Sequence, residues 1–401
     1  MKTGLWSRAL AIIDNNSRYH FLSLAILFLL INGFHYFRYG IVLMYDSYEY
    51  LRIAQDVVDG IYPDVHYRWY SGYVMYLWVI NSMAGGFGII VLGQYVFSAL
   101  AVWALYHTSL SLWGSRSAAY LASCAFLVFL DISMWNSFVL AESLFISFTY
   151  ISIYLLSILT TRSANVWRYI LTGIIVTFTF FIKPTGVAMA GALLSVLVYA
   201  LLTKFNSRLP ALISGVVLIL AFLLMINKML VTYDIVDNYQ KGELIFGISE
   251  LDAQSTYNLL FVQPPDSLYI PSIMLPPLAK IGAFLIHHPV YWLKLFFGKM
   301  ILHLAHVRPY WSVLHNLMSL LILLPAYYLF GRYILRVGLK NKTVLFAIAF
   351  MAIHTLSVSL TSVDWDGRFL LPMLPVLFTI AGRELSISIG TKYPIPQSEK
   401  P

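Results

Sequence analysis

The sequence predicts an all-α, polytopic membrane bundle of about ten crossings, with amphipathic surface helices in two large outer loops. Three observations predict it. Of 401 residues, 60% are apolar and only 11% are Asp, Glu, Lys or Arg, less than half the charged share of a soluble domain, about 25%. The apolar residues gather in blocks of roughly 14 to 22 residues, a length pattern of bilayer crossings, separated by charged or Pro/Gly breaks. The formal net charge of +8 is shared unequally between alternate breaks, which marks membrane orientation. No basic run or aromatic-interleaved basic patch supports nucleic-acid binding.

The blocks fall at about 19–37, 89–110, 118–132, 139–159, 169–182, 187–202, 211–230, 311–330, 343–360 and 369–381. Their connections form two sets. The N-terminal tail, the breaks near 113–117, 160–168, 203–209 and 331–342, and the C-terminal tail hold 15 of the 26 Lys and Arg, but only Asp14, Glu384 and Glu399 of the 18 acids. By the positive-inside rule this set, with both termini, is cytoplasmic. Lys2, Arg8 and Arg18 precede a first block that is longer than a signal-peptide core and lacks a clear small-residue cleavage site, so it reads as an uncleaved anchor. The single Cys124 has no intrachain partner and excludes a disulfide framework.

The apolar stretch Tyr70 to Ala84 decides the parity. If it crossed, Arg332, Arg336, Lys340 and Lys342 would lie outside and the acid-rich 234–266 segment inside. It therefore reads as a helix along the outer interface, where Tyr73, Tyr76 and Trp78 sit well. One membrane domain is expected in three parts: a catalytic module over 1–230 with a first outer loop at 38–88, a second outer loop with an interfacial helix over 231–310, and C-terminal membrane helices with a cytoplasmic tail over 311–401.

The outer loops are where chemistry should lie. In the first, Tyr50, Ile53, Ala54, Val57 and Val58 make an amphipathic stripe with Glu49, Arg52, Asp56 and Asp59 opposite, ending at Gly60. Asp46 stands at the helix start, either as an N-cap completed by Glu49 or as an ionised carboxylate acting as general base or metal ligand. Glu142 opens the fourth crossing, either as a helix-starting acid or as a second acid of an active site. Asp131 reads as an ordinary interface residue. Lys183-Pro184-Thr185-Gly186 breaks the chain at the outer end of the fifth crossing, and Lys183 can serve an anion as a point charge. The second loop is polar from Asp234 to Asp266 and then Pro-rich. Beyond it Pro289 to Val307 reads as a helix with Lys299, His303 and His306 on one stripe, leading to Arg308. His303-x-x-His306 lacks a third ligand for a metal, and His287-His288 is equally ambiguous. Arg368 opens the last crossing against the orientation rule and needs a partner, either Asp364 or Asp366 or an anionic ligand.

The order YDSYEYLRIAQ…G, YRWYSGYVMYLW, LAESLF, KPTG, HPVYWLKLFFGKM and DGRFLLPMLPVLFTIAG resembles the C-type (GT-C) membrane glycosyltransferases, such as the protein O-mannosyltransferases and lipid A aminoarabinose transferases. The resemblance spans most of the chain. It rests on the order of short motifs together with the topology. It implies an inverting glycosyltransferase that moves a sugar from a polyprenyl-phosphate donor to a glycan, lipid or protein acceptor at the outer face, with its site between the two outer loops; the expected location is a prokaryotic plasma membrane, the equivalent eukaryotic site being the endoplasmic reticulum. Asp46 would be the base, with Glu49 and Glu142 as further catalytic acids. Lys183, Arg368, Arg308 and His303 would face the donor phosphate, and a divalent metal ion, if used, would have Asp46 and Glu142 as candidate ligands. The acidic motif is Asp-x-x-Glu here, where the family more usually has an adjacent or one-spaced pair, and Lys183 stands where many relatives have Arg. A transporter or lipid-linked-saccharide flippase is the alternative. It is disfavoured because no internal repeat appears and because the acids gather at the outer face instead of the midplane. A non-catalytic assembly subunit would keep this topology without needing Asp46.

Overall fold

The computed structural model describes residues 13–83, 86–161, 165–204, 208–233, 235–248 and 257–389. Lys2, Arg8, Asp234 and Glu399 lie outside the described residues. Among the described residues every regular element is helical, with three isolated backbone bridges besides.

The chain divides into two compact units: Met1–Gly186 with Ile322–Val344 and Leu371–Pro401, and Val187–Leu321 with Leu345–Leu370. The first unit holds α1 (His20–Tyr39), α2 (Tyr45–Val58), α3 (Val65–Arg68), α4 (Ser71–Ser82), α5 (Phe87–Trp113), α6 (Arg116–Val128), α7 (Leu130–Met134), α8 (Ala141–Thr161) and α9 (Val166–Ile182). The second holds α10 (Val187–Lys204), α11 (Arg208–Leu230), α12 (Ile235–Lys241), α13 (Pro277–His287) and α14 (Pro289–Ala305). Helices α15 (Val313–Val337) and α16 (Lys342–Leu360) contribute to both, and α17 (Leu374–Ser388) returns to the first.

Seven described helices, α1, α5, α8, α10, α11, α15 and α16, are long and apolar enough to cross a membrane. The expected 118–132 block is α6 followed by α7, bent by 63° at Phe129. The 169–182 block lies in α9, whose 17 residues reach about 26 Å, just short of a hydrocarbon core of about 30 Å. The last block differs more. Only α17 forms there, after a 3-10 turn at Leu371–Met373. Arg383 and Glu384, expected in the tail, are fully buried inside α17. The 12 residues of α4 span only about 18 Å, so the Tyr70 to Ala84 stretch contains no crossing-length helix.

Small residues set the packing of the first unit. Ser117, Ala118, Ala119, Ala122 and Ser123 give α6 a buried face on which α17 lies through Gly382, where a Cβ would come within 2.8 Å of the Ala118 carbonyl. Trp113 donates from Nε1 to the Thr379 carbonyl at 3.2 Å. At the other end α4 approaches α9 through Gly72, where a Cβ would stand 2.9 Å from the Ile182 backbone nitrogen and 3.0 Å from the Phe181 carbonyl carbon.

In the second unit α10 packs on α11, and α13 packs on α12 and α14. The segment after α12 lies between two others. Glu243 bridges Phe261 antiparallel, and Ile245 bridges Val363 in parallel. Gly242, at φ +68°, is pressed against this seam, since a Cβ there would fall 2.2 Å from the Val262 carbonyl oxygen.

Candidate functional site

The chain leaving α1 pairs with the chain entering α8. Val42 and Phe138 form a parallel bridge, with Val42 N–H donating to the Ser137 carbonyl and Val139 N–H to the Val42 carbonyl, both at 3.0 Å. Asp46 follows Val42 by four residues and Glu142 follows Phe138 by four. Each lies in the first turn of its helix, α2 or α8, where backbone N–H groups favour negative charge.

Asp46 is not the N-cap. That position belongs to Met44, and the reciprocal partner is Ser47, whose Oγ accepts from the Met44 N–H at 2.9 Å. Asp46 is half-buried in the second helical position. Glu49 likewise takes no part in capping. Arg52 bridges Glu49 at 2.8 Å and Asp56 at 2.9 Å, making a solvent-facing i, i+3, i+4 triad. The expected apolar stripe is buried at Tyr50, Ile53 and Ala54 but exposed at Val57 and Val58, because the helix packs only through its first two and a half turns.

Glu142 and Lys183 are brought together. Lys183, the C-cap of α9, donates its ammonium to the Glu142 carboxylate, and both side chains are buried to within 6% exposure. The KPTG break explains the placement. Pro184–Gly186 is a 3-10 turn closed by Gly186 N–H donating to the Lys183 carbonyl at 2.8 Å, and a Cβ on Gly186 would lie 2.8 Å from the Phe180 Cα.

An aromatic cluster runs from α2 onto α4, where it meets a buried amide network. The Tyr50 ring lies 5.4 Å from Tyr70 and 5.2 Å, edge-on, from Tyr73. Tyr73 is fully buried, and burial, then Tyr76, Tyr50 and the Glu142 charge, hold its phenol protonated well above its ordinary range. Its hydroxyl donates to Gln94 Oε1 at 3.2 Å. Gln94 Nε2 donates to the carbonyls of Asn136 and Phe138, at 3.1 and 2.7 Å. The Asn136 amide donates to Asn32 and Ser98, and its oxygen accepts from Ser143 at 2.6 Å. This buried network holds the Phe138 bridge and the start of α8 in place.

The sequence reading missed Gln94, Asn136 and His66, and it set Tyr73 at the interface where the structure buries it. Single polar residues inside apolar blocks carry no spacing signal, although Asn and Gln within candidate crossings are rare enough to have been asked for partners. His66, on α3, has its basicity lowered by burial, while the Asp64 and Asp46 carboxylates oppose that shift. The imidazole is therefore within electrostatic reach of Asp46.

The second unit gathers the other expected residues around the loop before the last helix. Arg368 donates from Nε to Asp364 at 2.6 Å, with Asp366 at 3.6 Å, so both expected partners are present. Arg308, buried, donates to the carbonyls of Leu302, Val307 and Asp364 at 2.8 to 3.0 Å and ties the end of α14 to that loop. His303 is buried beside His354, with ring centroids 5.8 Å apart. His306, left-handed at φ 51°, packs on Trp311 and against Gly367, where a Cβ would come within 2.6 Å of its ring. His287 stacks on Tyr269 at 3.8 Å, and His288 accepts from the Tyr269 N–H at 2.7 Å. Asp131 lies half-buried in the first turn of α7.

Lys299 stands one turn before His303 on α14. It donates to the Thr361 carbonyl at 2.7 Å and lies 5.3 Å from the Tyr239 ring. Burial lowers its pKa to about 8, with the Glu243 charge opposing.

The residues fit a divalent ion poorly. Glu142 is already neutralised by a buried ammonium that a metal would have to displace, and Asp46 alone does not make a ligand set. No protein-family model and no curated protein matches this sequence.

Proposed function

We propose that this membrane protein is an inverting glycosyltransferase that takes its sugar from a polyprenyl-phosphate donor and works at the outer membrane face. The observation that carries the reading is the parallel Val42–Phe138 bridge, which joins the chain entering α2 to the chain entering α8, each helix carrying an acid, Asp46 or Glu142, in its first turn. Their environments differ. Glu142 is buried against Lys183, while Asp46 is half-buried and is not consumed as a cap. Two carboxylates with separate environments can take separate roles.

In this reading the acceptor O–H attacks the anomeric carbon as its proton passes to the Asp46 carboxylate, and the bond from that carbon to the phosphate oxygen breaks with its electron pair leaving on polyprenyl phosphate. Attack opposite the leaving group inverts the centre. His66 lies within electrostatic reach of Asp46, and the buried Tyr73 packs edge-on against Tyr50 of α2. An apolar groove of about 590 Å³ between α4 and α9, lined by Ser71, Gly72, Met75, Ile174, Phe178 and Phe181, offers a surface for the prenyl chain. Phe181 lies two residues before Lys183. In the second unit Arg368 is the candidate for an anionic ligand, because Arg308 spends its terminal nitrogens on backbone carbonyls. Ion-coupled transport or flipping also uses buried charge pairs such as Glu142–Lys183.

The test is to reconstitute the full chain in vesicles with a panel of radiolabelled polyprenyl-phosphate sugars and membrane-extract acceptors. Label transfer with release of polyprenyl phosphate supports the proposal. Substrate-driven ion or lipid flux without transfer supports the transporter instead.

A further inference from the structure

The end of α15 carries a groove that the transferase reading does not use. Tyr327, Gly331 and Leu335 form one i, i+4 ridge of the helix, and Tyr328, Arg332 and Arg336 form the next. Together these six line a groove of about 590 Å³, within the roughly 300 to 1,000 Å³ range of small-ligand sites. Gly331 makes the notch, since a Cβ there would meet no atom within 4 Å. The sides are apolar and open outward, with Tyr328 at 69% and Leu335 at 88% exposure. This exposed surface lies on a helix long and apolar enough to cross a bilayer.

One end of the groove is cationic. Arg332 and Arg336 both bridge the Glu384 carboxylate, which is fully buried, so the two guanidiniums are held side by side. Exposed Lys340 and Lys342 follow within the same unit, with no acid between Arg332 and Lys342. Both arginines lie in the last two turns of α15, at headgroup depth for a spanning helix. A groove with an apolar run ending in clustered arginines matches an acyl chain ending in a phosphate. A second copy of this chain is a poorer occupant, because a symmetric parallel contact through this face would set Arg332 and Arg336 against their own counterparts.

The geometry points to a binding site for an anionic glycerophospholipid, with its phosphate held by Arg332 and Arg336 and its acyl chain lying across Gly331. The site does not depend on the transferase reading.

Native mass spectrometry of the full chain in detergent, titrated with phosphatidylglycerol or phosphatidylcholine of matched acyl chains, tests it. Phosphatidylglycerol should occupy the wild-type chain at least about fivefold more tightly, the scale of one basic residue near an anionic headgroup. Gly331→Leu fills the notch from a position where a Cβ meets nothing within 4 Å, and leucine is the better helix former. It should keep the wild-type melting temperature and lose that preference. Arg332→Gln should lose part of it. Equal affinity for the two lipids, undiminished phosphatidylglycerol preference in Gly331→Leu, or a dimer that only Gly331→Leu dissolves would each overturn the assignment.

Discussion

Val42 pairs in parallel with Phe138, and that one bridge joins the chain just before α2 to the chain just before α8. Asp46 follows the bridge by four residues on one chain segment and Glu142 by four on the other. The network from Tyr73 through Gln94 to Asn136 holds the Phe138 side of the bridge, since Gln94 donates to the Phe138 carbonyl at 2.7 Å.

Capping and chemistry separate at the start of α2. Ser47→Ala removes the acceptor for the Met44 N–H and should cost about 1 kcal/mol of stability while leaving activity in the surviving folded fraction. Asp46→Asn keeps the size of the side chain and removes a charge near the helix N-terminus, a helix-end contribution of about 0.3 to 1 kcal/mol. Thermal unfolding paired with turnover per folded molecule checks the contrast. An equal fall in specific activity for both would return Asp46 to a structural role.

The Glu142–Lys183 pair should show the asymmetry of buried ions. Removing one partner, as in Lys183→Met or Glu142→Gln, leaves an uncompensated group and should cost about 3 to 5 kcal/mol. The double variant should recover much of that loss. A double-mutant cycle on denaturation midpoints reads the coupling directly, and additive losses would show that the pair is not coupled.

Gly72 sets the approach of α4 to α9. Gly72→Ala puts a methyl into the Phe181–Ile182 backbone and should cost about 1 to 3 kcal/mol as overpacking. Gly86→Ala, beside which a Cβ meets nothing within 4 Å, is the control. Indistinguishable melting curves for the two would refute the close approach.

Lys299 imposes a pH dependence on the second unit. Its folded pKa is lowered to about 8, below an unfolded value of about 10.4. Between those values the unfolded chain binds more protons, so stability rises with pH across the window from about 8 to 10.4. Below about pH 8 the amine is charged in both states and the contribution is flat. Lys299→Met should flatten the rise above pH 8, which unfolding measured from pH 7 to 10 detects.

Most helices were legible because their apolar blocks are long and uninterrupted. The 139–159 and 343–360 blocks correspond to Ala141–Thr161 and Lys342–Leu360. The failures have physical causes. Asp46 and Glu49 carry the letters of a capping box, but the helix starts two residues earlier than that pattern needs, so Met44 is the N-cap and Ser47 its side-chain partner. Arg383 and Glu384 look like a polar tail until Arg332 and Arg336 from α15 supply long-range partners for Glu384. Lys183 and Glu142 were each visible as unusual charges. Their pairing was not, since 41 residues separate them and only the packing of α9 on α8 brings them together. The buried amides of Gln94 and Asn136 likewise acquire meaning only from neighbours far along the chain.

Turnover of a purified polyprenyl-phosphate sugar by wild-type protein and by Asp46→Asn, compared at equal folded fraction, addresses the central assignment most directly. The account predicts release of polyprenyl phosphate and an inverted product from the wild type, and a loss of about 10² to 10⁴-fold in the variant, the range for a positioned general base. Equal turnover by the two proteins would contradict it.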